Sequence, residues 1–269
     1  MSKKFSKEEL KSPDQMTKTL REGFVWTTSH SKMVISAIVI FIVVGAGVSI
    51  SGYLSEKKET EVQEKYFVLE KAYNDKRRGF DEAVRAEMAA AQAKDKKTAP
   101  AVDPSKKATG DLQKDYGSVI SGFETLVSEA PKTKAAQMAA LNLSAIFTDY
   151  KKTDEALAAL QKVEKGLNKS DATSALVYMQ IGNVYANKSD CKAAVDTWQK
   201  IAENKSFQFA HDEVKLRMAL CYESMNDLTK AEQLYTEVSK KEDANSPTDT
   251  AAVREAGKYL RLLKAKKSL

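Results

Sequence analysis

The chain has 269 residues, a net charge of +6 and 42% hydrophobic residues, with only 11 glycines and five prolines. Alanine, lysine, leucine and glutamate are abundant, which favours helix and argues against a turn-rich all-β fold. Residues 1–32 hold seven basic and four acidic residues and supply +3 of the charge, so the other 237 residues are nearly balanced. This balance, with no basic helix face interleaved with aromatics, argues against nucleic-acid binding.

The first segment, residues 1–32, is a basic N-terminal tail. Met16, Leu20 and Phe24 recur every fourth residue, with Lys18 and Arg21 between them. This spacing predicts a short amphipathic helix that lies on an anionic leaflet or docks on a partner. The alternative is a disordered, solvating tail.

The next segment, residues 33–54, is uniformly apolar and contains no charged residue. At ~1.5 Å per residue it is long enough to span a hydrocarbon core of about 30 Å. Trp26 and Tyr53 lie near its two ends, where interfacial aromatics are expected. The apolar stretch and its leader are too long for a cleaved signal peptide, so we predict a single transmembrane helix. Because both flanks are basic, the sequence leans only mildly towards a cytoplasmic N-terminus.

Residues 55–95 are predicted to form one long polar helix. An apolar stripe runs along it and consists of Val62, Tyr66, Leu69, Tyr73, Phe80 and Val84. The stripe is suited either to packing against the following domain or to a short coiled coil, which leaves open a homodimer through helix 55–95. Residues 96–110 contain Pro100, Pro104 and several lysines, and predict a flexible linker.

From residue 111 onward, helical segments alternate with short breaks, which predicts antiparallel helical hairpins. One pattern of apolar, small and aromatic residues recurs in three frames that start at Leu143, Ile181 and Met218, 38 and 37 residues apart. The small residues allow the two helices of a hairpin to approach closely, and the larger ones fill the space between hairpins. The residues assigned to this packing are Ser144, Phe147, Ala156, Gly182, Tyr185, Ala194, Trp198, Ala219, Tyr222, Ala231 and Tyr235.

The pattern resembles the tetratricopeptide-repeat (TPR) family, most closely at Ile181-Gly182-x-x-Tyr185 and Ala194-x-x-x-Trp198. The resemblance covers roughly residues 111–269. It implies an all-α fold in which a transmembrane helix and a long helix precede a TPR-like α-solenoid of a degenerate half repeat, three repeats and a terminal capping helix. The repeats lack the family's closing proline and exceed its usual ~34 residues, which leaves their boundaries open.

In the TPR family, one face of each first helix lines a concave groove. The resemblance assigns this groove to Met138, Leu141, Ala145, Leu176, Met179, Asn183, Leu216 and Leu220. A mainly apolar groove with methionines suits adaptable recognition of hydrophobic protein segments. The alternative is that these side chains are buried against helix 55–95.

Catalytic and metal-binding patterns are missing from the sequence. Neither His30 nor His211 has a recognisable nucleophile or metal ligand as a partner, and there is no glycine-rich phosphate loop. We therefore expect no enzyme activity, cofactor, metal site or small-molecule substrate. Cys191 and Cys221 match no zinc or CxxC pattern and lie in adjacent repeats, where two buried free thiols are favoured over a disulfide.

A basic tail, one span, a long polar helix and a small TPR domain, in that order, resemble the YfgM family of bacterial inner-membrane proteins. The resemblance implies an ancillary partner of the Sec translocon, with a cytoplasmic N-terminus and periplasmic repeats that associate with a membrane-bound chaperone. Two other functions stay open: a cell-envelope scaffold that links a membrane complex to another envelope protein, and a cytosol-facing import receptor. An accessible apolar groove favours the translocon partner. A groove filled by helix 55–95 favours the envelope scaffold, and cytosolic repeats favour the import receptor.

Overall fold

The computed structural model describes residues 15–92, 103–240 and 250–267, which contain ten α-helices and no strand. The helices are α1 (Gln15–Ser29), α2 (Ser31–Gln92), α3 (Leu112–Glu129), α4 (Lys134–Asp149), α5 (Thr153–Glu164), α6 (Ala172–Asn187), α7 (Cys191–Ala202), α8 (His211–Ser224), α9 (Leu228–Ser239) and α10 (Ala251–Lys267). Short 3₁₀ helices cover Pro104–Lys106 and Lys205–Ala210. The predicted all-α fold class is confirmed.

The chain divides into two units, residues 1–57 and 58–269. In the first unit, residues 15–29 of the tail form helix α1, and Leu20 and Phe24 are exposed on it. The side chain of Met16 and residues 1–14 lie outside the described part. For residues 15–29, the helical prediction therefore holds over the disordered alternative.

Helix α2 is the one helix of the described part that is long and apolar enough to cross a membrane. Apart from half-buried Val34, its apolar side chains between residues 33 and 54 are exposed, among them Ile40, Phe41 and Val48. Helix α2 contains the predicted span, 33–54, and residues 55–92 of the predicted polar helix, and no proline interrupts it. Residues 93–95 lie outside the described part.

The second unit is a stack of three helical hairpins, which pair α4 with α5, α6 with α7, and α8 with α9. Helix α3 packs on α4, and α10 packs on both helices of the last hairpin. Each hairpin also contacts the next, through α5 with α6 and α7 with α8. Because one hairpin leaves an apolar face uncovered, stacking is what buries the core of this α-solenoid.

The turn inside each hairpin has the same backbone geometry. Lys151, Ser189 and Asn226 adopt positive φ values of 60°, 62° and 61°, and they are 38 and 37 residues apart. The residue after each of them donates its backbone N–H to the carbonyl oxygen of the repeat's aromatic residue, at 2.7–2.9 Å; these carbonyls belong to Phe147, Tyr185 and Tyr222. The turns therefore follow the same period as the sequence repeat.

The residues assigned to repeat packing lie in the core. Ser144, Phe147, Ala156, Gly182, Ala194, Trp198, Ala219, Ala231 and Tyr235 are buried, and Tyr185 and Tyr222 are half-buried. The closest approach is at Gly182, where an added Cβ would lie 2.2 Å from Nε1 of Trp198. That indole N–H donates to the carbonyl oxygen of Met179 at 3.2 Å, so the ring is held directly over the glycine.

The polar part of α2 packs on α3 through aromatic side chains. Tyr73 contacts the rings of Tyr116 and Phe123 at centroid distances of 5.8 and 6.2 Å, and Tyr66 lies 6.0 Å from Phe123. Phe80 meets Tyr116 edge-on at 5.5 Å. Of the predicted stripe, Val62, Tyr66 and Tyr73 are buried, Leu69 and Phe80 are half-buried, and Val84 is exposed. The stripe therefore packs within the chain, and a homodimer through it would have to displace these contacts.

Hydrogen bonds fix α2 and the end of the linker to the helical stack. Glu59 accepts from the backbone N–H of Lys134 at 2.9 Å, at the start of α4. Asp115 is buried and accepts from Thr109, Gly110 and the Tyr150 hydroxyl, the last at 2.6 Å. Burial raises the pKa of Asp115, but these hydrogen bonds outweigh it and hold the pKa below its ordinary value. Linker residues 96–102 lie outside the described part.

The two cysteines form a disulfide, so the expectation of free thiols was wrong. Cys191 is the first residue of α7 and Cys221 lies in α8, with their Cα atoms 5.2 Å apart. The packing of α7 on α8 brings them together across 30 residues of sequence. Sequence spacing alone does not report such a contact between neighbouring repeats.

Candidate protein-binding face

The predicted groove residues lie on the first helices of the three hairpins, α4, α6 and α8. Leu176 and Leu220 are 41% and 37% exposed. Met138, Leu141, Ala145, Met179 and Asn183 are half-buried. Leu216 is only 3% exposed and packs in the core with α9 and α10, so it is not accessible. We call the remaining seven residues the first-helix face.

A chain of polar side chains crosses this face from α4 to α8. Gln180 donates its amide N–H to Oγ of Ser144, and Asn183 donates to Oε1 of Gln180, both at 3.2 Å. Arg217 donates to Oδ1 of Asn183 at 3.2 Å and forms an ion pair with Glu213 at 2.5 Å. The polar chain joins the face through Asn183, so the predicted apolar residues of the face have polar side chains next to them.

The sequence pattern did not assign Gln180 to the groove. The one available signal was its spacing: Gln180 and Asn183 are three residues apart, which puts both side chains on the same side of α6. In addition, Nε of Arg217 is buried and has no hydrogen-bond partner among the described residues. A buried donor of this kind is costly to leave unpaired.

Helix α2 is associated with the α4 end of this face. Met138 and Leu141 pack against the first core cluster, to which α2 contributes Val62, Tyr66 and Tyr73. The amide of Asn142 on α4 donates to the Tyr66 hydroxyl at 3.2 Å. Leu176 on α6 and Leu220 on α8 stay exposed. On α4, Met138 and Leu141 are half-buried, whereas Leu176 on α6 and Leu220 on α8 are the most exposed apolar side chains of the face.

The two histidines make structural contacts. His30 stacks on Trp26 with ring centroids 4.9 Å apart, and Nε2 of His211 lies 2.9 Å from the carbonyl oxygen of Asn204. Within residues 15–92, 103–240 and 250–267, no group of three or more His, Cys, Asp or Glu side chains is placed to hold a metal ion. Among the described residues, the first-helix face is therefore a stronger candidate for a functional site than either histidine.

A family model described as a domain of unknown function, DUF6340, matches residues 180–265, which is less than half of the chain. No curated protein matches the sequence. Among solved structures, MamA is 19% identical, with 59% of this chain and 90% of MamA covered and a TM-score of 0.40. TPR-like repeats of a Podosopora anserina kinesin light chain are 14% identical, with 58% and 91% covered and a TM-score of 0.42. BtubC (BKLC) from P. vanneervenii is 13% identical, with 73% and 87% covered and a TM-score of 0.43.

Proposed function

We propose that this protein is a membrane-anchored interaction module whose first-helix face binds a segment of a partner protein. The observation that supports this most directly is the pairing of exposed Leu176 and Leu220 with the polar chain of Gln180, Asn183 and Arg217. Apolar side chains of a partner can pack on Leu176 and Leu220. Backbone carbonyl oxygens of the partner can accept hydrogen bonds from the side-chain amides of Gln180 and Asn183 and from the guanidinium of Arg217.

The proposed location is the bacterial inner membrane, with the N-terminus in the cytoplasm and the repeats in the periplasm. A disulfide between Cys191 and Cys221 supports this side of the membrane, because disulfides persist in the periplasm and are reduced in the cytosol. The apolar stretch of α2 supplies the anchor. Anchoring confines the domain near membrane partners, where a weak contact gains from high effective concentration.

The proposed partner is a Sec translocon subunit or a membrane-bound chaperone, as the resemblance to the YfgM family implies. The module acts by binding and needs no cofactor or small-molecule substrate. Transient binding of a partner agrees with the partial exposure of Leu176 and Leu220, which are 41% and 37% exposed among the described residues.

Site-specific photo-crosslinking in intact membranes tests the partner. A photoreactive residue replaces Leu176 or Leu220, and the control is Leu262, which is 65% exposed on α10 and lies off the face. We expect a translocon subunit or a membrane-bound chaperone to crosslink at the first two positions and not at the third. Equal crosslinking at Leu262, or none at either leucine of the face, would contradict the proposal.

An envelope scaffold is the second candidate, and the docking of α2 on α3 favours it. Tyr66, Tyr73 and Phe80 pack the polar part of α2 on α3, so residues 58–92 belong to the folded unit that a scaffold would present. In the same experiment, crosslinks to other envelope proteins alone would select this function.

A topology experiment separates both candidates from an import receptor. Ser105 in the linker and Ser6 in the tail are changed to cysteine in separate variants, and spheroplasts are treated with a membrane-impermeant thiol reagent. Labelling at Ser105→Cys and not at Ser6→Cys is expected for periplasmic repeats. The reverse pattern would put the repeats in the cytosol and select the receptor.

A further inference from the structure

A second candidate site lies at the edge of the second hairpin, where the α5–α6 and α7–α8 loops meet. A cavity of about 690 Å³ opens there, and none of its lining residues belongs to the first-helix face. Three lysines line it, one from each loop and one from the end of α7: Lys169, Lys200 and Lys205. Half-buried Tyr178 supplies aromatic surface.

The cavity is held open by contacts within the chain. The side chain of Asn204 donates to the carbonyl oxygen of Lys169 at 2.7 Å and accepts from the backbone N–H of Ser206 at 3.0 Å, so it ties the two loops together. Phe207 is 1% exposed and anchors the α7–α8 loop in the second core cluster. The two loops are therefore fixed before any ligand arrives, which lowers the entropic cost of binding.

The charge of the lining is positive. Lys200 lies 5.0 Å above the Tyr178 ring and pairs with Glu164 at 3.0 Å, which holds its ammonium beside the aromatic surface. None of the ion pairs among the described residues involves Lys169 or Lys205. Glu203 is the one acid of the lining, and it accepts from the amide of Gln199 at 2.6 Å. Two lysine charges are thus free to attract an anion.

We propose that this cavity binds an acidic peptide segment of a partner protein, with an aromatic side chain beside the Lys200 ammonium and the Tyr178 ring, and with flanking carboxylates paired with Lys169 and Lys205. The lysines come from separate loops and act as point charges, which suits carboxylates spaced along a peptide. A free phosphate would fill little of the volume and leave the aromatic surface unused. The cavity volume and its aromatic side therefore favour a peptide.

The test is titration calorimetry on the full chain in nanodiscs of zwitterionic lipid. The probe is the peptide acetyl-Glu-Glu-Phe-Glu-Glu-amide. Two matched peptides remove one feature each: the glutamates become glutamine in one, and the phenylalanine becomes alanine in the other. We expect the probe to bind, and to bind at least about tenfold more tightly than either matched peptide, a difference of about 1.4 kcal/mol in binding free energy.

Charge reversal at the lysines locates the binding. Lys169→Glu combined with Lys205→Glu is expected to weaken the probe at least about tenfold, whereas Lys192→Glu, an exposed change at the other end of α7, leaves it unchanged. All three substituted lysines are exposed, so circular dichroism of the variants should match the parent chain. Equal binding of the glutamine peptide, an unaffected double variant, or competition by inorganic phosphate with no preference for the probe would overturn the proposal.

The proposal for this cavity and the proposal for the first-helix face are tested independently. Crosslinking at Leu176 and Leu220 does not involve Lys169 or Lys205, so loss of peptide binding in the double variant would leave the first proposal intact. Conversely, crosslinks absent from the first-helix face would not affect the calorimetry.

Discussion

At the scale of single residues, Gly182 illustrates why a hairpin needs a small residue at its crossing point. A Cβ there would lie 2.2–2.6 Å from three atoms of the Trp198 ring, which is buried and held by a hydrogen bond to Met179. We expect Gly182→Ala to destabilise the domain by about 1–3 kcal/mol through overpacking. This range is the net change, after the gain in helix propensity of about 1 kcal/mol that alanine brings.

Gly117→Ala is the matched control for that prediction. Gly117 is also within a helix, but its added Cβ meets only the end of the flexible Gln113 side chain. Thermal unfolding followed by circular dichroism should show a lower midpoint for Gly182→Ala and an equal or higher one for Gly117→Ala. Equal midpoints would show that the crossing at Gly182 is looser than the distances indicate.

Asp115 is the residue for which we expect a pH dependence. Its folded-state pKa is lowered by hydrogen bonds from Tyr150, Thr109 and Gly110, so its contribution to stability is fully present above the unfolded pKa of about 3.9. That contribution is lost as the pH falls through the lower, folded-state pKa. Asp115→Asn should therefore destabilise at neutral pH, and the difference from the parent chain should shrink below about pH 4.

Urea unfolding at a series of pH values measures this difference. Asp196→Asn, on the exposed side of α7, serves as the control that removes a carboxylate without removing these hydrogen bonds. A pH-independent difference between Asp115→Asn and the parent would assign the effect to lost packing instead of to the carboxylate's charge.

At the scale of elements, α2 combines two environments in one helix. Its apolar first part meets the criteria for a span, whereas Tyr66, Tyr73 and Phe80 in its polar part pack on α3. The sequence predicted both parts from composition and from the spacing of the stripe. It left open what the stripe contacts, because the same 4-3-4 spacing serves a coiled coil and an intramolecular contact equally well.

Removing the Tyr73 ring tests the docking of α2. Tyr73→Ala truncates a buried aromatic that contacts two rings of α3, so we expect a loss of about 3 kcal/mol or more. Amide hydrogen exchange in residues 58–92 should rise at the same time, because the contacts that protect this part of α2 are lost. Phe67→Ala, which changes a 54% exposed ring on the same helix, should alter neither quantity.

At the scale of the whole molecule, the disulfide joins the second hairpin to the third. Cys191 and Cys221 close a loop of about 30 residues through α7 and α8, and such a crosslink typically stabilises by about 2–4 kcal/mol. Reduction of the parent chain should lower its unfolding midpoint. The Cys191→Ser, Cys221→Ser double variant should match the reduced parent and stop responding to the reductant.

The oxidation state of the pair in cells also reports the compartment. Alkylation of acid-quenched cells should leave both cysteines unmodified until a reductant is added, if the repeats are periplasmic. Free thiols in fresh cells would favour cytosolic repeats and the receptor function.

The sequence by itself determined what depends on local pattern. The apolar run of 33–54 predicted a span, and the repeat of small and aromatic residues at intervals of 38 and 37 residues predicted stacked hairpins. Both predictions were possible because the spacing of apolar residues along the chain reflects the helical period. The period even matches the positive-φ turns at Lys151, Ser189 and Asn226.

Only the tertiary structure decided which side chains from different helices meet. The bond between Cys191 and Cys221, the burial of Leu216 and the polar chain from Ser144 to Arg217 all depend on how one hairpin is placed on the next. That placement is set by the summed packing of many side chains, such as Trp198 on Gly182, rather than by any local spacing. The same packing brought three lysines and Tyr178 around one cavity, although their positions along the chain suggest no common site.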